Sequence, residues 1–171
     1  MVNKEKCGQR AGDEPQMNAL VIRPAIAEDS EQIAAMIGKV FVEYNAAGML
    51  PEGRAKFLEF IHPNNIRQRL TAGACMFIAC HDAQIVGAVE VRIYSHIALL
   101  FTARHYQRKG IAKKLLEAAV ARCKEKRPQL TAITVNSSAY AVPVYEQLGF
   151  IIRNKERLEQ GVHYTPMVLP L

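Results

Sequence analysis

The sequence predicts one α/β domain built on a mixed sheet. Three observations carry that reading. Strand-like and helix-like hydrophobic periods alternate along the chain. The length of 171 residues suits a single core. Half the residues are hydrophobic and 22% are charged, the balance of a folding chain and not of a disordered one.

Residues 1–18 mix Gly, Lys, Glu, Asp and Gln without a period and read as a mobile N-terminal tail ahead of a domain over 19–171. Ala19–Arg23 is a short apolar strand run, closed by Pro24. Asp29 or Ser30 then caps a helix, with Gln32 three residues after Asp29. Ile33, Ile37, Val40, Phe41 and Tyr44 share one face of that helix. Asn45–Gly53 reads as a loop. A second helix runs through Phe57, Leu58 and Ile61 and is broken by Pro63, after which Ile66 and Leu70 suggest a short helical turn. Cys75–Cys80 and Gln84–Ile93 are strand runs joined by a hairpin turn at His81-Asp82-Ala83. His96–Thr102 is the next strand. A helix starting near Lys109 or Gly110 buries Ile111, Leu115, Ala118, Ala119 and Cys123, and Pro128 ends it. Thr131–Val135 is a strand, and Ala139–Leu148 a short helix stopped by Gly149. Phe150–Ile152 and His163–Leu169 make the last strands.

The formal net charge is +6 and the isoelectric point is near 9.3, which raises nucleic acid, anionic lipid or a phosphorylated ligand. The charge is local. Between Arg104 and Arg127 lie nine basic and two acidic residues, and the rest of the chain is nearly neutral. That argues for one anion site over a broad nucleic-acid surface. No run has the ~20 apolar residues of a membrane span. Residues 1–16 lack an apolar signal-peptide centre, so a cytoplasmic protein is expected. Cys7, Cys75, Cys80 and Cys123 form no CxxC pair and read as reduced thiols. No His/Cys cluster has zinc spacing, so no metal is expected.

Tyr106–Lys113 links an apolar strand to the basic helix. The unpaired N–H groups of a helix's first turn attract anions, and a glycine there lets a phosphate approach the backbone. Gly110 has that place, Ala112 is the next smallest residue, and Arg108, Lys109 and Lys113 add charge. Neither a P-loop nor a GxGxxG spacing is present.

Gln107-x-x-Gly110-x-Ala112 matches the Q/R-x-x-G-x-G/A pyrophosphate motif of the GNAT superfamily of acetyl-CoA-dependent N-acetyltransferases. Tyr145-Glu-Gln-Leu-Gly-Phe150 matches the Y-E-x-x-G-F element of that family's next motif, 35 residues after Gly110. From Ile22 to about Leu169 the chain resembles this family. The resemblance implies a single GNAT-like domain: a mixed, mostly antiparallel sheet of about six to seven strands flanked by about four helices. It implies acetyl-CoA as co-substrate and an amine as acceptor, with the chain a monomer or homodimer.

The site residues follow from the resemblance. Leu100, Phe101 and Thr102 would lie along the pantetheine arm, bonding it through the backbone as if it were a strand. A bulge there can free an N–H to polarise the thioester carbonyl. Gln107, Arg108, Lys109, Gly110, Ile111, Ala112 and Lys113 would hold the pyrophosphate. Tyr145 matches the tyrosine that protonates the leaving thiolate; a phenol of pKa about 10 is protonated at neutral pH and can donate. Many members have Asn seven residues before that tyrosine. Here the place is Ser138, with Asn136 two residues earlier, and either could bond the cofactor. Candidate bases for the amine are Glu90 and His96, then Glu43 and His62. Strand alternation puts His96 on one face with Ala98, Leu100 and Thr102.

Acceptor choice is expected to lie in Phe41–Ile61 and Arg157–Tyr164, with Tyr44, Met49, Phe57, His62 and Tyr164 as pocket candidates. A small-molecule amine is the favoured acceptor. The alternatives are an acetyltransferase acting on a protein or aminoacyl-tRNA amine, and a non-catalytic acetyl-CoA- or RNA-binding module. No aromatic residue interrupts the basic helix, which argues against a single-strand platform.

Overall fold

The computed structural model describes residues 20–171. The expected tail, and Ala19 of the expected first strand, lie outside them. The elements in order are β1 (Val21–Pro24), α1 (Ser30–Tyr44), α2 (Pro51–Phe60), α3 (Pro63–Thr71), β2 (Cys75–His81), β3 (Gln84–Arg92) and β4 (His96–Thr102). Then come α4 (Ile111–Lys126), β5 (Ala132–Ser137), α5 (Val142–Gln147), β6 (Ile151–Ile152), β7 (Arg157–Glu159) and β8 (Val162–Pro170). The expected α/β class with a mixed, mostly antiparallel sheet is what the chain forms, with eight strands and five α-helices among the described residues. The added strand, β7, is three residues long and fully exposed, so it carries no hydrophobic period to read.

The sheet runs β1-β2-β3-β4-β5-β8-β6, and β7 pairs with β8. Every neighbouring pair is antiparallel except β4–β5. Helices cover both faces, which is why β3 is buried without alternation from Ile85 to Val91. On one face α4 lays Ile111, Leu115, Leu116, Ala119 and Cys123 over Ala79, Val89 and Val91. Leu116 takes the place expected for Ala118, which is only half-buried. On the other face α1 sets Ile33, Met36, Ile37 and Val40 against Ile78, Ala88 and Leu99.

Local chemistry sets the boundaries. Pro63, expected as a breaker, instead opens α3, since proline's missing N–H costs nothing in a first turn. The β2–β3 turn has two residues, Asp82 and Ala83, both at positive φ (49° and 60°), while His81 pairs with Gln84. Asp29 stands at the N-cap of α1, as expected, but its side chain makes no capping bond to that helix. Its carboxylate accepts from both Arg23 Nη atoms at 2.7 and 2.8 Å and from the Ile26 N–H at 2.8 Å. The Arg23 guanidinium chiefly holds this carboxyl below its ordinary pKa. A bidentate charged pair outcompetes a neutral cap and ties β1 to the start of α1.

One ion pair is deeply placed. Glu90 on β3 is 2% exposed, and its oxygens accept from Arg69 Nε at 2.8 Å and Nη2 at 3.1 Å. Arg69 also donates to the Phe60 carbonyl at 2.9 Å and stacks on the Phe60 ring at 4.0 Å. The pair fastens the end of α2 and α3 to the central strand. Removing the cation alone strands a buried carboxylate, so Arg69→Met is expected to cost about 3–5 kcal/mol in urea unfolding. Arg69→Met with Glu90→Leu should recover most of that loss.

Candidate active site

The only parallel pair among the described residues is also the shortest contact between long strands. β4 and β5 are in register at His96↔Thr134 and Ile97↔Val135 and then separate. β4 runs on to Thr102, still paired with β3 through Gly87↔Thr102. From Ala98 onward its other edge has no strand beside it. The gap opens into a cleft of about 1300 Å³ that reaches from α2 to the N-terminus of α4.

A bulge sits where the strands part. The β3–β4 register shifts from Val91↔Ile97 to Glu90↔Leu99, leaving Ala98 as an extra residue on β4. The shift reorders the faces. Ile97 and Leu100 both pack on the α4 side, and Leu99 and Phe101 on the α1 side. His96 therefore does not share a face with Leu100, contrary to the simple alternation expected. Its partner Arg92 follows Val91, which packs on the α4 side, so both lie on the α1 side. His96 Nδ1 lies 2.8 Å from Thr134 Oγ1, whose own proton goes to the Ser95 carbonyl. Nδ1 is then the donor and Nε2 the bare nitrogen. Burial first, and the Arg92 charge second, lower the His96 pKa.

The candidates separate into two groups. Leu100, Phe101, Thr102, Gln107, Arg108, Gly110, Ile111, Ala112 and Lys113 all line the cleft, as do Asn136, Ser138 and Tyr145. Glu90 and His96 do not. Glu90 is held by Arg69, and His96 is turned to Thr134. Lys109 is also outside the lining, its ammonium 5.2 Å from the Tyr106 ring centre. His62 is spent on the start of α3, where Nδ1 accepts from the Asn64 N–H at 3.3 Å. Glu43 pairs with Arg104.

The turn before α4 is shaped for an anion. The first α4 bond runs from the Lys114 N–H to the Gly110 carbonyl at 3.1 Å, so the amides of Ile111, Ala112 and Lys113 have no partner within the helix. Gly110 caps the helix at φ 76°, and a Cβ built there would meet nothing within 4 Å. Gln107 Nε2 donates to the Thr102 carbonyl at 3.2 Å, fastening the turn to β4. Thr102 Oγ1 is buried with no partner among the described residues. A ligand with a chain of hydrogen-bonding groups ending in phosphates fits this set: an open strand edge, an orphaned hydroxyl, a helix start and two cations.

Tyr145 on α5 is 6% exposed and set edge-on to Phe150, ring centres 5.1 Å apart at 71°. Burial pushes its phenol well above the ordinary tyrosine value. No hydrogen bond among the described residues engages its hydroxyl. Ser138 is occupied, since its Oγ accepts from Asn45 Nδ2 at 2.9 Å and from the Ala141 N–H at 3.3 Å.

The end of α1 spans the gap. Glu43 meets Arg104, just after β4, at 2.6 Å. Tyr44 stacks on Tyr140 at 4.8 Å and Asn45 bonds Ser138, both after β5. Beyond it, α2 and the β7–β8 turn form a wall. The Leu50 N–H donates to the Gly161 carbonyl at 3.0 Å, Met49 bridges to Val162, and Lys56 Nζ donates to Gln160 Oε1 at 3.0 Å. Gly53 and Gly161 touch backbone to backbone. A Cβ on Gly53 would lie 2.4 Å from the Gly161 carbonyl oxygen. Of the expected pocket residues, Met49, Phe57 and Tyr164 line the cleft, while Tyr44 only stacks beside it. Asn45, Gly53 and Arg92 also line it; the first two fall inside the expected Phe41–Ile61 stretch without having been singled out, and Arg92 lies outside both expected stretches. The two glycines were the available signal for the wall.

The comparisons agree with this architecture. Residues 26–171 match the family described as the acetyltransferase (GNAT) domain, and the chain belongs to that family. Membership makes it an N-acetyltransferase, a transferase of acyl groups. It is 27% identical over 150 residues to the uncharacterized N-acetyltransferase YafP of Escherichia coli K12, covering 87% of this chain and 93% of that one. The PaiA N-acetyltransferase of Thermoplasma acidophilum, solved in complex with coenzyme A, superposes with a TM-score of 0.74 at 16% identity, over 90% of this chain and 99% of that one. A GCN5-related N-acetyltransferase from Rhodopseudomonas palustris gives 0.70 at 18% identity, over 93% and 100%. Among the described residues no helix is long and apolar enough to cross a membrane, and no His/Cys/Asp/Glu group has the makings of a metal site.

Overpacking by one methyl at the glycine contact is expected to pry the α2 wall from the β7–β8 turn, at a cost of about 1–3 kcal/mol. Gly53→Ala should therefore raise KM for the acceptor in steady-state assays and leave acetyl-CoA affinity near the parent value by calorimetry.

Proposed function

We propose that the cleft binds acetyl-CoA along the free edge of β4 and transfers its acetyl group to a primary amine that enters from the α2 side. The observation that carries this reading is the unpaired β4 edge, running from the bulge at Ala98 to the start of α4. The Leu100–Thr102 backbone bonds the pantetheine amides, and the Thr102 hydroxyl gains a partner there. The pyrophosphate takes the free amides of Ile111, Ala112 and Lys113, with Arg108 and Lys113 supplying charge. Lys109, stacked on Tyr106, shapes the turn. Asn136 offers an amide to the arm, and Ser138 serves the α1–α5 contact instead.

The bulge supplies an N–H beside the thioester carbonyl, where charge develops as the amine attacks. The C–N bond forms as the C–S bond breaks. The nitrogen's surplus proton passes to water, the departing sulfur takes one from Tyr145, and Tyr145 regains a proton from solvent, which closes the cycle. Burial makes that phenol a weaker acid, but the same desolvation raises the proton affinity of a thiolate leaving beside it. Glu90 and His96 receive no proton in this scheme: the first is paired with Arg69 and the second faces Thr134. The acceptor is a small-molecule amine, held between the α2 wall and β4.

Tyr145→Phe is expected to lower kcat about 100-fold while acetyl-CoA still binds. An unchanged kcat overturns the acid assignment. Reversing two charges, Arg108→Glu with Lys113→Glu, should weaken acetyl-CoA binding by more than about tenfold in calorimetry, and more so at low salt.

A further inference from the structure

The acceptor end of the cleft has a definite chemistry. Phe57 and Phe60 of α2, Met49, Val162 and Phe101 give it apolar walls. Phe57 is wedged between Phe41 and Phe101, with ring centres 4.2 and 5.9 Å away, so that wall is rigid. Its charges are unbalanced. The one carboxylate in the lining is Glu159. Glu159 and Arg157 both act on the Tyr164 phenol, whose pKa is raised by burial and then by Glu159. The cations at this end are Lys56, which is bonded to Gln160, and Arg92. The arginine ion pairs among the described residues are Arg23–Asp29, Arg69–Glu90, Arg104–Glu43 and Arg122–Glu125, and Arg92 belongs to none of them.

Resting on the acetyl-transfer reading, we propose that the acceptor is an aminocarboxylate with an apolar or aromatic body, its carboxylate held by Arg92 and its amine at the Ala98 bulge. Register sets the scale. Arg92 pairs with His96, which stands two residues before Ala98 on β4, about 7 Å along the strand. One small molecule spans that interval. Arg92 projects from the sheet face that carries the α1-side core, the face α2 covers, so guanidinium and aromatic walls meet the same ligand. A polyamine or aminoglycoside would bring several cations to a pocket with a single carboxylate. A free guanidinium and an apolar wall suit one negative charge on an apolar body.

The test is a thiol-release assay with acetyl-CoA on matched probes: phenylalanine against phenethylamine, leucine against isoamylamine, and spermidine. The carboxylated member of each pair should show a kcat/KM about tenfold or more above its decarboxylated partner. Arg92→Gln should remove that preference and leave acetyl-CoA affinity by calorimetry unchanged. Equal rates within the pairs, a preference for spermidine, or a preference that survives Arg92→Gln overturns the proposal and leaves acetyl transfer standing. Acetyl-CoA that binds but reaches no probe also overturns it. Failure of acetyl-CoA to bind at all removes the transfer reading beneath it.

Discussion

The cleft depends on a sheet that is not allowed to close. β4 and β5 run parallel, and parallel neighbours need a long crossover, here the α4 segment. They are in register for two residues and then separate, with the bulge at Ala98 just past the last paired position. An unpaired strand edge in the middle of a domain leaves buried polar groups that must find partners elsewhere. A ligand that mimics a strand is the economical partner. The α4 start, the free amides after Gly110 and the orphaned Thr102 hydroxyl lie along the same line.

The rest of the fold keeps that gap open. β3 is buried on both faces and carries the sheet's rigidity. The Glu90–Arg69 pair fixes α2 and α3 to it, which sets where Phe57 and Phe60 stand. The glycine contact between α2 and the β7–β8 turn then joins the first third of the chain to the last hairpin. That wall of the cleft is thus made of segments distant in sequence, held by close backbone approach together with the Lys56–Gln160 bond.

Much of the architecture was legible because hydrophobic period reports burial directly. α1, α4, β2, β3, β4 and β8 announced themselves in that way. The anion turn was legible too, since Gln107, Gly110 and Ala112 are local in sequence. What escaped had physical causes. β7 is exposed, so burial leaves no mark on it. The bulge at Ala98 inverts the alternation of β4, and nothing in His96–Thr102 signals the extra residue. That single insertion put His96 on the wrong face of the expectation. Glu90 read as a candidate base because its partner, Arg69, lies 21 residues away on a helix whose docking only the folded chain reveals. Arg92 and Asn45 escaped for the same reason.

The end of α1 gives the cleft a mechanical character. Glu43 is anchored past the end of β4, and Tyr44 and Asn45 are anchored past the end of β5. The two banks of the gap are stapled by one helix whose other face is sunk in the core. Widening the gap sideways would tear α1 from Ile78, Ala88 and Leu99. The channel is therefore braced across its width by a single helix end, which holds its two banks at a fixed separation.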